Sequence, residues 1–585
     1  MRIFLTGVFS CFVGLTAYGQ IYAPKSIDYE VISLHTPIEI PMILAGNFGE
    51  MRKDHFHTGL DIKTNNTEGY KLFSIESGVV SRIRVSAWGY GLAVYIDHPN
   101  GLTSVYGHMS RFSPAIDSLV HHYQVKNESW ILDQAVVGDS LNVSRGSVIG
   151  YSGNSGSSSA PHLHFEIRET ATEHAINPLL FRCYRKTIAD LTPPDIKGIK
   201  VYAVTAKGYL IPGKSKFFSC TKSEKGWIIN GGQPLDISNL MCPNSYVAVG
   251  IHSNDRLDGA GNVCGVYSSS FTRGTQSLHE QKMEYIDFDH NGYLNTHQDY
   301  WEFEDNNRDI HKQFANAVNP LSIYPLKGGL IEWNQLDQDF TYKAWDVHGN
   351  LQSITFRLKN TGDQMSENPL DKTSKYYFPD SVTLLLNEEF QVVIEEGSFY
   401  EPAEKIFKID RNSIYLSPKY QFCENTIPVE KEFKFRLKLT DIPVGISTDK
   451  LGLGLLNQDG YLSFLGGFYL NGWMEGNASA FGQFVVVADT TLPKISPLDF
   501  TEGKLISKYR NLQLEITDNL SGISVYKAWI NGTWVVMEYD RKKKRYVIPF
   551  NEWSKPLLRS GRNIIRIYAK DKRGNESEYA CSVVW

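Results

Sequence analysis

The sequence lacks the features that would direct it to nucleic acid or into a bilayer. Its 59 lysine and arginine residues are outnumbered by 64 aspartate and glutamate residues, for a formal net charge of -5. We therefore predict no basic surface and no nucleic acid partner. Past the N-terminus no apolar run is long enough to span a bilayer, so we expect no transmembrane anchor.

Cysteine is also scarce, at 7 of 585 residues. Cys11 lies in the N-terminal apolar run, and the other six form no Cys-x-x-Cys unit. That spacing argues against a zinc site built from thiolates. An even number of cysteines in an exported chain permits disulfides, and Cys220 with Cys242 is the first pair to test.

The first nineteen residues have the pattern of a secretory signal peptide. Arg2 precedes an apolar stretch that runs from Ile3 to about Leu15, and Ala17-Tyr18-Gly19 then places small residues at 17 and 19. We predict cleavage before Gln20 and export to the periplasm, the cell envelope or the extracellular space. A membrane anchor is disfavoured because the apolar stretch is short and contains polar and glycine residues.

The remaining composition favours strands and turns. Tyrosine (32), phenylalanine (30) and glycine (48) are plentiful, which is typical of sheets rather than helical bundles. At about 150 residues per domain, the length predicts about four domains. We therefore predict a mainly β fold. "LAVYIDHPNGLTSVYGHMS" predicts a hairpin that turns at Asn100-Gly101.

Three histidine clusters lie in one strand-rich stretch, residues 40–185. They are "HFHTGLD" (55–61), "YGHMS" (106–110) and "HLH" (162–164). In a strand, His162 and His164 point to the same face. Two imidazoles are a poor pair for a core, because each still needs a polar partner after burial. They suit a metal site or a catalytic cleft.

The first cluster offers a nitrogen and an oxygen ligand in His57 and Asp61, at the start of a predicted strand. One more histidine from "HLH" completes three protein ligands with an open fourth position, the arrangement of a catalytic zinc site. The other histidine of "HLH" and His108 are then free to move a proton or stabilise an oxyanion. No His-Glu-x-x-His helix occurs, and "GNSGSSS" does not lead into a helix as a nucleophile elbow would.

"HFHTGLDIKT", "SVYGHMS" and "GYSGNSGSSSAPHLHFEIR" resemble the three signature blocks of the lysostaphin-type (LytM-type) zinc metallopeptidases. The resemblance covers about a quarter of the chain and implies an antiparallel β metallopeptidase domain that holds one Zn²⁺ per chain. It implies His57, Asp61 and His164 as zinc ligands and His108 and His162 as catalytic residues. The one departure is Ala160, where the family often has glycine, which affects loop geometry more than chemistry.

Other polar residues near these blocks have alternative interpretations. His55 could replace His57 as a ligand, but only His57 has the correct spacing to the glycine and aspartate. Glu166 shares the face of His162 and His164 and either orients a ring from the second shell or is an ordinary strand carboxylate. His98 and His174 are expected to be solvated surface residues.

The remainder of the chain is predicted to be β domains of immunoglobulin-like type. "DLTPPDI" at 190–196 is echoed by "DTTLPKI" at 489–495, and "DVHGN" at 346–350 is echoed by "DKRGN" at 571–575. The Gly-Asn pairs are typical of tight turns. We predict domains at 20–188 (metallopeptidase), 189–360 (sandwich with an insertion near 275–330), 375–488 (β-rich) and 489–585 (closing sandwich).

Two further features carry weaker expectations. "DFDHNGYLNTHQ" from Asp287 begins like a calcium loop, but Gln298 stands where the bidentate glutamate is required, so a solvated polar turn is favoured. Trp345, Trp473 and Trp529 could face a sugar but are expected in cores.

The predicted function is zinc-dependent hydrolysis of amide bonds in the peptide stems or cross-links of peptidoglycan. Envelope proteins that contact the β domains are further candidate partners. One alternative is a non-enzymatic envelope regulator or scaffold that activates another hydrolase. The family's inactive relatives tend to lose zinc ligands, whereas this chain keeps all five key positions. Proteolysis of surface proteins is a third candidate.

Overall fold

The computed structural model describes residues 27–137, 141–224, 226–362, 367–439, 441–457 and 459–585. The predicted signal peptide, 1–19, and Cys11 lie outside these ranges. Strands dominate and pair almost throughout in the antiparallel sense, which confirms the predicted mainly β fold. Within the described ranges no helix has the length and apolarity needed to cross a membrane.

The N-terminal region, residues 27–188, is built on one large antiparallel sheet. The strands of the region are β1 (Leu44–Gly46), β2 (Leu60–Lys63), β3 (Lys71–Phe73), β4 (Gly78–Val85), β5 (Leu92–Asp97), β6 (Leu102–Met109), β7 (Arg111–Phe112), β8 (Leu132–Ala135), β9 (Asn142–Val143), β10 (Val148–Tyr151), β11 (His162–Glu169) and β12 (Ala175–Ile176). Of these, β3, β10 and β7 form a separate three-stranded sheet. The main strand order is β1-β2-β11-β6-β5-β4-β8. The β2, β11 and β6 strands are thereby adjacent, which brings the three histidine clusters together.

Local sequence signals explain most of this region. Asn100 and Gly101 form the turn between β5 and β6, as predicted, and the φ of +79° at Gly101 suits glycine. Two helices were not predicted, α1 (Pro114–Asn127) and α2 (Arg182–Arg185). The buried α1 residues Ile116, Val120 and Tyr123 recur at helical spacing, and a proline at the first helical position is a start signal.

The second region, residues 189–360, forms two sheets around one core. Its elements are β13 (Asp195–Val204), β14 (Leu210–Ser223), β15 (Gly226–Ile229), β16 (Leu235–Asp236), β17 (Tyr246–Asn254), β18 (Ser268–Arg273), β19 (Gln276–Lys282), β20 (Tyr285–Ile286), α3 (Leu294–His297), α4 (Tyr300–Asn306), β21 (Ile310–Lys312), β22 (Phe340–Trp345), β23 (Leu351–Phe356) and β24 (Leu358–Lys359). The sheets are β15-β14-β13-β17-β21 and β19-β18-β22-β23. Because β19 pairs along β18, the departure from the sandwich begins after Lys282 rather than at the predicted 275.

The third region, residues 375–488, also has two five-stranded sheets around a phenylalanine-rich core. Its strands are β25 (Tyr376–Tyr377), β26 (Thr383–Leu386), β27 (Phe390–Ile394), β28 (Ala403–Glu404), β29 (Phe407–Asp410), β30 (Lys419–Phe422), β31 (Phe433–Lys438), β32 (Leu451–Leu456), β33 (Leu462–Gly466), β34 (Phe468–Leu470), β35 (Trp473–Ala478) and β36 (Gly482–Ala488).

The fourth region, residues 489–585, pairs a four-stranded and a five-stranded sheet. Its strands are β37 (Lys494–Pro497), β38 (Lys504–Leu505), β39 (Asn511–Thr517), β40 (Ile523–Ile530), β41 (Thr533–Val535), β42 (Glu538–Asp540), β43 (Arg545–Pro549), β44 (Arg562–Asp571) and β45 (Glu576–Val584). It packs back onto the N-terminal region, where the Trp553 ring stacks on His121 at a centroid distance of 4.1 Å and Lys527 pairs with Glu128.

The segment after β19 docks against the chain around Phe56, which lies within the first histidine cluster and precedes β2. β20 extends the N-terminal sheet by pairing with β12. The side chain of Asn291 accepts a hydrogen bond from the Phe56 backbone N–H at 2.7 Å and donates one to the Phe56 carbonyl at 3.1 Å. Met283, Tyr293 and Leu294 bury the Phe56 ring in a shared apolar cluster. The second region therefore fixes the backbone beside His57.

One expectation for these regions is wrong. The segment from Asp287 is not a solvated turn, because Asp287, Asn291 and Gln298 are buried and it forms a 3₁₀ turn and α3 against the N-terminal region. Cys220 and Cys242, the first pair to test for a disulfide, are free thiols in the described structure. Both side chains instead contact the apolar core of the second region.

The three singled-out tryptophans are half-buried rather than fully in cores. Arg436 and Arg566 cover the rings of Trp473 and Trp529, with guanidinium-to-centroid distances of 4.5 and 4.0 Å. A stacked guanidinium leaves less of each ring face free for a sugar.

Removing the Asn291 amide should destabilise the protein. Asn291→Ala leaves the Phe56 N–H and carbonyl buried without partners, which costs about 1–3 kcal/mol per group. We expect a lower free energy of unfolding in a chemical denaturation experiment, whereas Asn142→Ala at an exposed position should leave it unchanged. Equal stabilities for the two variants would contradict the docking described above.

Candidate metal centre

Two adjacent strands bring His57, Asp61 and His164 together. Asp61 on β2 lies directly opposite His164 on β11 in the antiparallel register, and cross-strand partners on one face are in contact range. His57 lies three residues before Leu60, the first residue of β2. Gly59 lies between them, and a Cβ atom there would be 2.5 Å from the Phe165 carbonyl, so this close approach of β2 to β11 requires glycine.

The three side chains converge on one point. The His57 Nε2 atom lies 3.1 Å from both Asp61 Oδ1 and His164 Nδ1, and His164 Nδ1 lies 2.9 Å from Asp61 Oδ1. Both histidines are 5% exposed. Ligands of tetrahedral zinc lie about 3.4 Å apart when each bond is about 2.1 Å. The observed separations are close to that value.

Outer hydrogen bonds fix which nitrogen of each ring faces the centre. The His57 Nδ1 atom lies 2.7 Å from the Asn47 carbonyl, and His164 Nε2 lies 2.8 Å from the Glu166 carboxylate. Because a carbonyl and a carboxylate only accept hydrogen bonds, these outer nitrogens carry protons. In the neutral form of each ring the inner nitrogen then offers a lone pair beside a carboxylate oxygen, the donor set that binds zinc.

The electrostatics also favour a cation at this point. Burial lowers the pKa of His57 and keeps the ring neutral. Burial opposes ionisation of Asp61, but the surrounding histidines hold its pKa well below the usual range. Burial disfavours a charge on His164 too, yet hydrogen bonds to Asp61 and Glu166 raise its pKa to about 9. The negative charge of Asp61 is therefore stabilised either by a proton on His164 or by a metal ion bound between the two side chains.

Glu166 lies behind His164, in the position that the orienting role considered in the sequence analysis requires. Its fully buried carboxylate accepts hydrogen bonds from Thr58 and Tyr90, both at 2.6 Å, in addition to His164. Arg168 forms an ion pair with its other oxygen at 2.6 Å. Sequence analysis missed Tyr90 and Arg168. Arg168 extends the run of polar residues at every second position along β11, and that alternation could have identified it.

His108 and His162 form the opposite side of the centre, with ring centroids 4.7 Å apart. The His108 Nδ1 atom donates to the Ser155 carbonyl at 2.9 Å, and His162 Nδ1 donates to the Ala160 carbonyl at 2.8 Å. Each Nε2 therefore keeps a lone pair. Burial and the nearby histidines lower the pKa of His108 to about 3, so this ring is neutral.

A third residue that the sequence analysis missed is Arg52. Its guanidinium donates to Asp61 Oδ2 at 3.0 Å and pairs with Glu50. The Oδ1 atom of Asp61 faces the two ligand histidines, so Arg52 leaves one carboxylate oxygen for the centre. No motif in the sequence marks this arginine.

The structure also places the other histidines of this region. His55 points away from the centre, is half exposed and pairs with Asp54, so it is not a substitute ligand in this arrangement. The expectation that His98 is solvated is wrong, since it is 5% exposed and bonded to Ser104. His174 is half-buried beside Asp287, because the second region covers it.

A cleft of about 550 Å³ lies beside His108, between the N-terminal and fourth regions. One wall includes Asn154 and Ser155, and the other includes Arg541 and Lys542. The Lys542 ammonium donates to the Asn154 carbonyl. The loop that holds the His108 ring is therefore in contact with the fourth region.

Replacing the Glu166 carboxylate should weaken metal binding without removing a ligand. In Glu166→Gln the His164 ring loses its charged partner and Arg168 its counter-ion, and such outer-shell changes typically cost about 10–100-fold in affinity. We expect the zinc dissociation constant of this centre to rise by that factor in a chelator competition assay. Glu39→Gln, at an exposed position, is the control, and an unchanged constant for Glu166→Gln would contradict the assigned role.

Comparisons with known proteins point to the same region. The DD-carboxypeptidase/endopeptidase Mpg of Neisseria meningitidis is 33% identical over 112 residues, which are 19% of this chain and 20% of Mpg. The chain thus matches about a fifth of that relative's length. Two solved structures are also similar. A mutant catalytic domain of the prophage-encoded M23 protein EnpA from Enterococcus faecalis is 25% identical and covers 24% of this chain and 89% of its own (TM-score 0.18). The lysostaphin catalytic domain from Staphylococcus simulans is 24% identical and covers 23% and 87% (TM-score 0.17).

Two family models match separate parts of the chain. Residues 374–489 match the Zu5-like domain, which falls on the third region. The model of Peptidase family M23 matches residues 55–131 and 118–178, a stretch that contains all three histidine clusters. The N-terminal region therefore contains a domain of peptidase family M23.

Proposed function

We propose that this protein is an exported zinc metalloendopeptidase that hydrolyses amide bonds in the peptide stems or cross-links of peptidoglycan. The observation that carries the proposal is the convergence of His57 Nε2, His164 Nδ1 and Asp61 Oδ1 within 3.1 Å of one another. Three ligands with a vacant fourth position are the arrangement of a catalytic rather than a structural zinc site. One Zn²⁺ per chain is expected here.

The residues around this centre have different proposed roles: some hold the ion, some orient its ligands and some transfer protons. When bound, zinc supplies Lewis acidity and a nucleophilic water near neutral pH. His57, Asp61 and His164 would hold the ion, and the Asn47 carbonyl and Glu166 would keep the two rings in the required orientation. His162 and His108 lie beside the centre, where an unprotonated imidazole nitrogen can accept the proton of a water nucleophile. Once protonated, an imidazole can donate to the leaving amine or to a developing oxyanion.

Peptidoglycan is proposed as the substrate on three grounds. The relative Mpg is named as a DD-carboxypeptidase/endopeptidase. The N-terminus has the pattern of a signal peptide, which would take the chain to the envelope. A cleft of about 550 Å³ is lined by Met109 and by Ser155, whose carbonyl accepts a hydrogen bond from the His108 ring.

The alternative of a non-enzymatic regulator is not favoured. A scaffold that only activates another hydrolase needs no metal site. Here five polar side chains, His57, Asp61, His108, His162 and His164, are oriented about one point by buried hydrogen bonds. An arrangement of buried polar groups without a ligand is costly.

The full chain from Gln20 onward, loaded with zinc, should release muropeptides from purified sacculi. His57→Ala should lose zinc and activity together. His162→Ala and His108→Ala should keep zinc but lower the rate by about 10²–10⁴-fold, the usual contribution of general acid–base residues. Mass spectrometry of the released muropeptides would identify the bond, because the new termini define it.

The control is His55→Ala, which removes the neighbouring histidine that points away from the centre and should retain full activity. Gly-rich peptides are assayed in parallel with sacculi. Comparing the two rates distinguishes cleavage of peptidoglycan from cleavage of surface proteins. Full activity in the metal-stripped chain would contradict the proposal. So would a chain that releases nothing itself but accelerates an amidase, which is the result the scaffold alternative predicts.

A further inference from the structure

A second group of possible metal ligands lies where the N-terminal and second regions meet. Asp190 is in the linker between them, and Asp346 and His348 are in the turn between β22 and β23. One ligand atom from each of the three side chains lies within 4.8 Å of the others. Asp190 and Asp346 are 4% and 2% exposed, and His348 is half-buried, so both carboxyl groups lie below the surface.

The chain leaves donors in this group unused. His348 Nε2 lies 2.6 Å from the Ile188 carbonyl and 3.2 Å from the Arg185 carbonyl. A carbonyl only accepts, so Nε2 carries the proton and Nδ1 has a lone pair. Among the described residues, neither His348 Nδ1 nor Asp190 Oδ2 has a hydrogen-bond partner, although both atoms are buried. Buried polar atoms without a partner are rare in native proteins, and a bound metal ion would explain these two.

A third buried carboxyl group interacts with this group. Asp255 is 2% exposed, and its Oδ1 atom also lacks a partner within the described part of the chain. Burial raises the pKa of Asp255 to about 8, and the charges of Asp346 and Asp190 raise it further. A cation among these groups would favour the ionised form of the carboxyl groups.

The fourth region contains the same framework in a second copy. Asp489 corresponds to Asp190, and Asp571 to Asp346. The asparagine four residues after each turn aspartate donates to the carbonyl of the linker aspartate, from Asn350 at 3.1 Å and from Asn575 at 3.0 Å. The aspartates thus hold the turn in both copies, and that shared role does not by itself require a metal.

The two copies differ at the linker aspartate and in the turn. In the fourth region the Ser521 backbone N–H donates to Asp489 Oδ2 at 3.0 Å, whereas in the second region the Asp258 backbone N–H donates to Asp190 Oδ1 at 3.3 Å and leaves Oδ2 without a partner among the described residues. Arg573 occupies the place of His348 in the turn, and its guanidinium is close enough to Asp571 and Asp489 to feel their charges. The fourth region also groups Asp489 and Asp571 with Asp518, but its turn already carries a guanidinium where the second region has an imidazole.

We propose that Asp190, Asp346 and His348 bind one divalent metal ion of the Zn²⁺ or Mn²⁺ class that joins the N-terminal and second regions. An imidazole nitrogen beside carboxylate oxygens suits these ions, whereas Ca²⁺ prefers oxygen ligands alone. The Ile188 carbonyl orients the His348 ring from the last turn of the N-terminal region, as outer hydrogen bonds do in metal sites. The ion would be structural and separate from the centre at His57.

The test uses the full chain from Gln20 with His57→Ala and His164→Ala, so that the catalytic centre binds no metal and the result does not depend on the proposed function. Mn²⁺ is titrated while the free-ion electron paramagnetic resonance signal is recorded. We expect one equivalent to bind, Zn²⁺ to displace it and Ca²⁺ to leave it in place. In that background His348→Gln should weaken Mn²⁺ binding by at least about 10-fold.

His348→Arg reproduces the arrangement at Arg573 and should abolish Mn²⁺ binding while cooperative thermal unfolding is retained, which separates loss of the site from loss of the fold. Asp489→Asn is the matched control in the second copy and should leave Mn²⁺ affinity unchanged. Three results would overturn the proposal. They are no bound Mn²⁺ in the starting chain, unchanged affinity in both His348 variants, or equal loss of affinity in Asp489→Asn.

Discussion

The candidate metal centre depends on the positions of two protons. One lies on His57 Nδ1 against the Asn47 carbonyl, and the other lies on His164 Nε2 against Glu166. With these protons directed outward, two lone pairs and the Asp61 carboxylate face the same point. If either ring reversed its tautomer, an N–H group would occupy the place of a ligand and the centre would lose its affinity for a cation.

The β domains contribute to this arrangement and are more than spacers. Asn47, whose carbonyl orients His57, exchanges two hydrogen bonds with the Gly265 backbone of the second region, each 2.8 Å long. Phe56 is held by Asn291 from the same region. The backbone on both sides of the first ligand is therefore set by contacts more than 200 residues away in sequence. The fourth region also contributes, because Lys542 bonds to the loop whose Ser155 carbonyl holds the His108 ring.

The features that were predicted correctly from the sequence are those that depend on local sequence patterns. Strand periodicity placed His162 and His164 on one face, the Asn100-Gly101 turn set the β5–β6 register, and three short motifs named the five residues that meet. The sequence did not predict Arg52, Tyr90 or the Asn47 contact, because these act across distances in the fold that no short pattern records. His98 and the segment from Asp287 were placed at the surface for the same reason, since their burial comes from partners distant in the chain.

The most direct test of the account is anomalous diffraction at the zinc edge from crystals of the zinc-loaded full chain. The account predicts an anomalous peak bonded to His57 Nε2, Asp61 Oδ1 and His164 Nδ1, at distances of about 2.0–2.2 Å, with His57 Nδ1 still on the Asn47 carbonyl. No peak among these three side chains, or a peak bonded to His57 Nδ1, would contradict it.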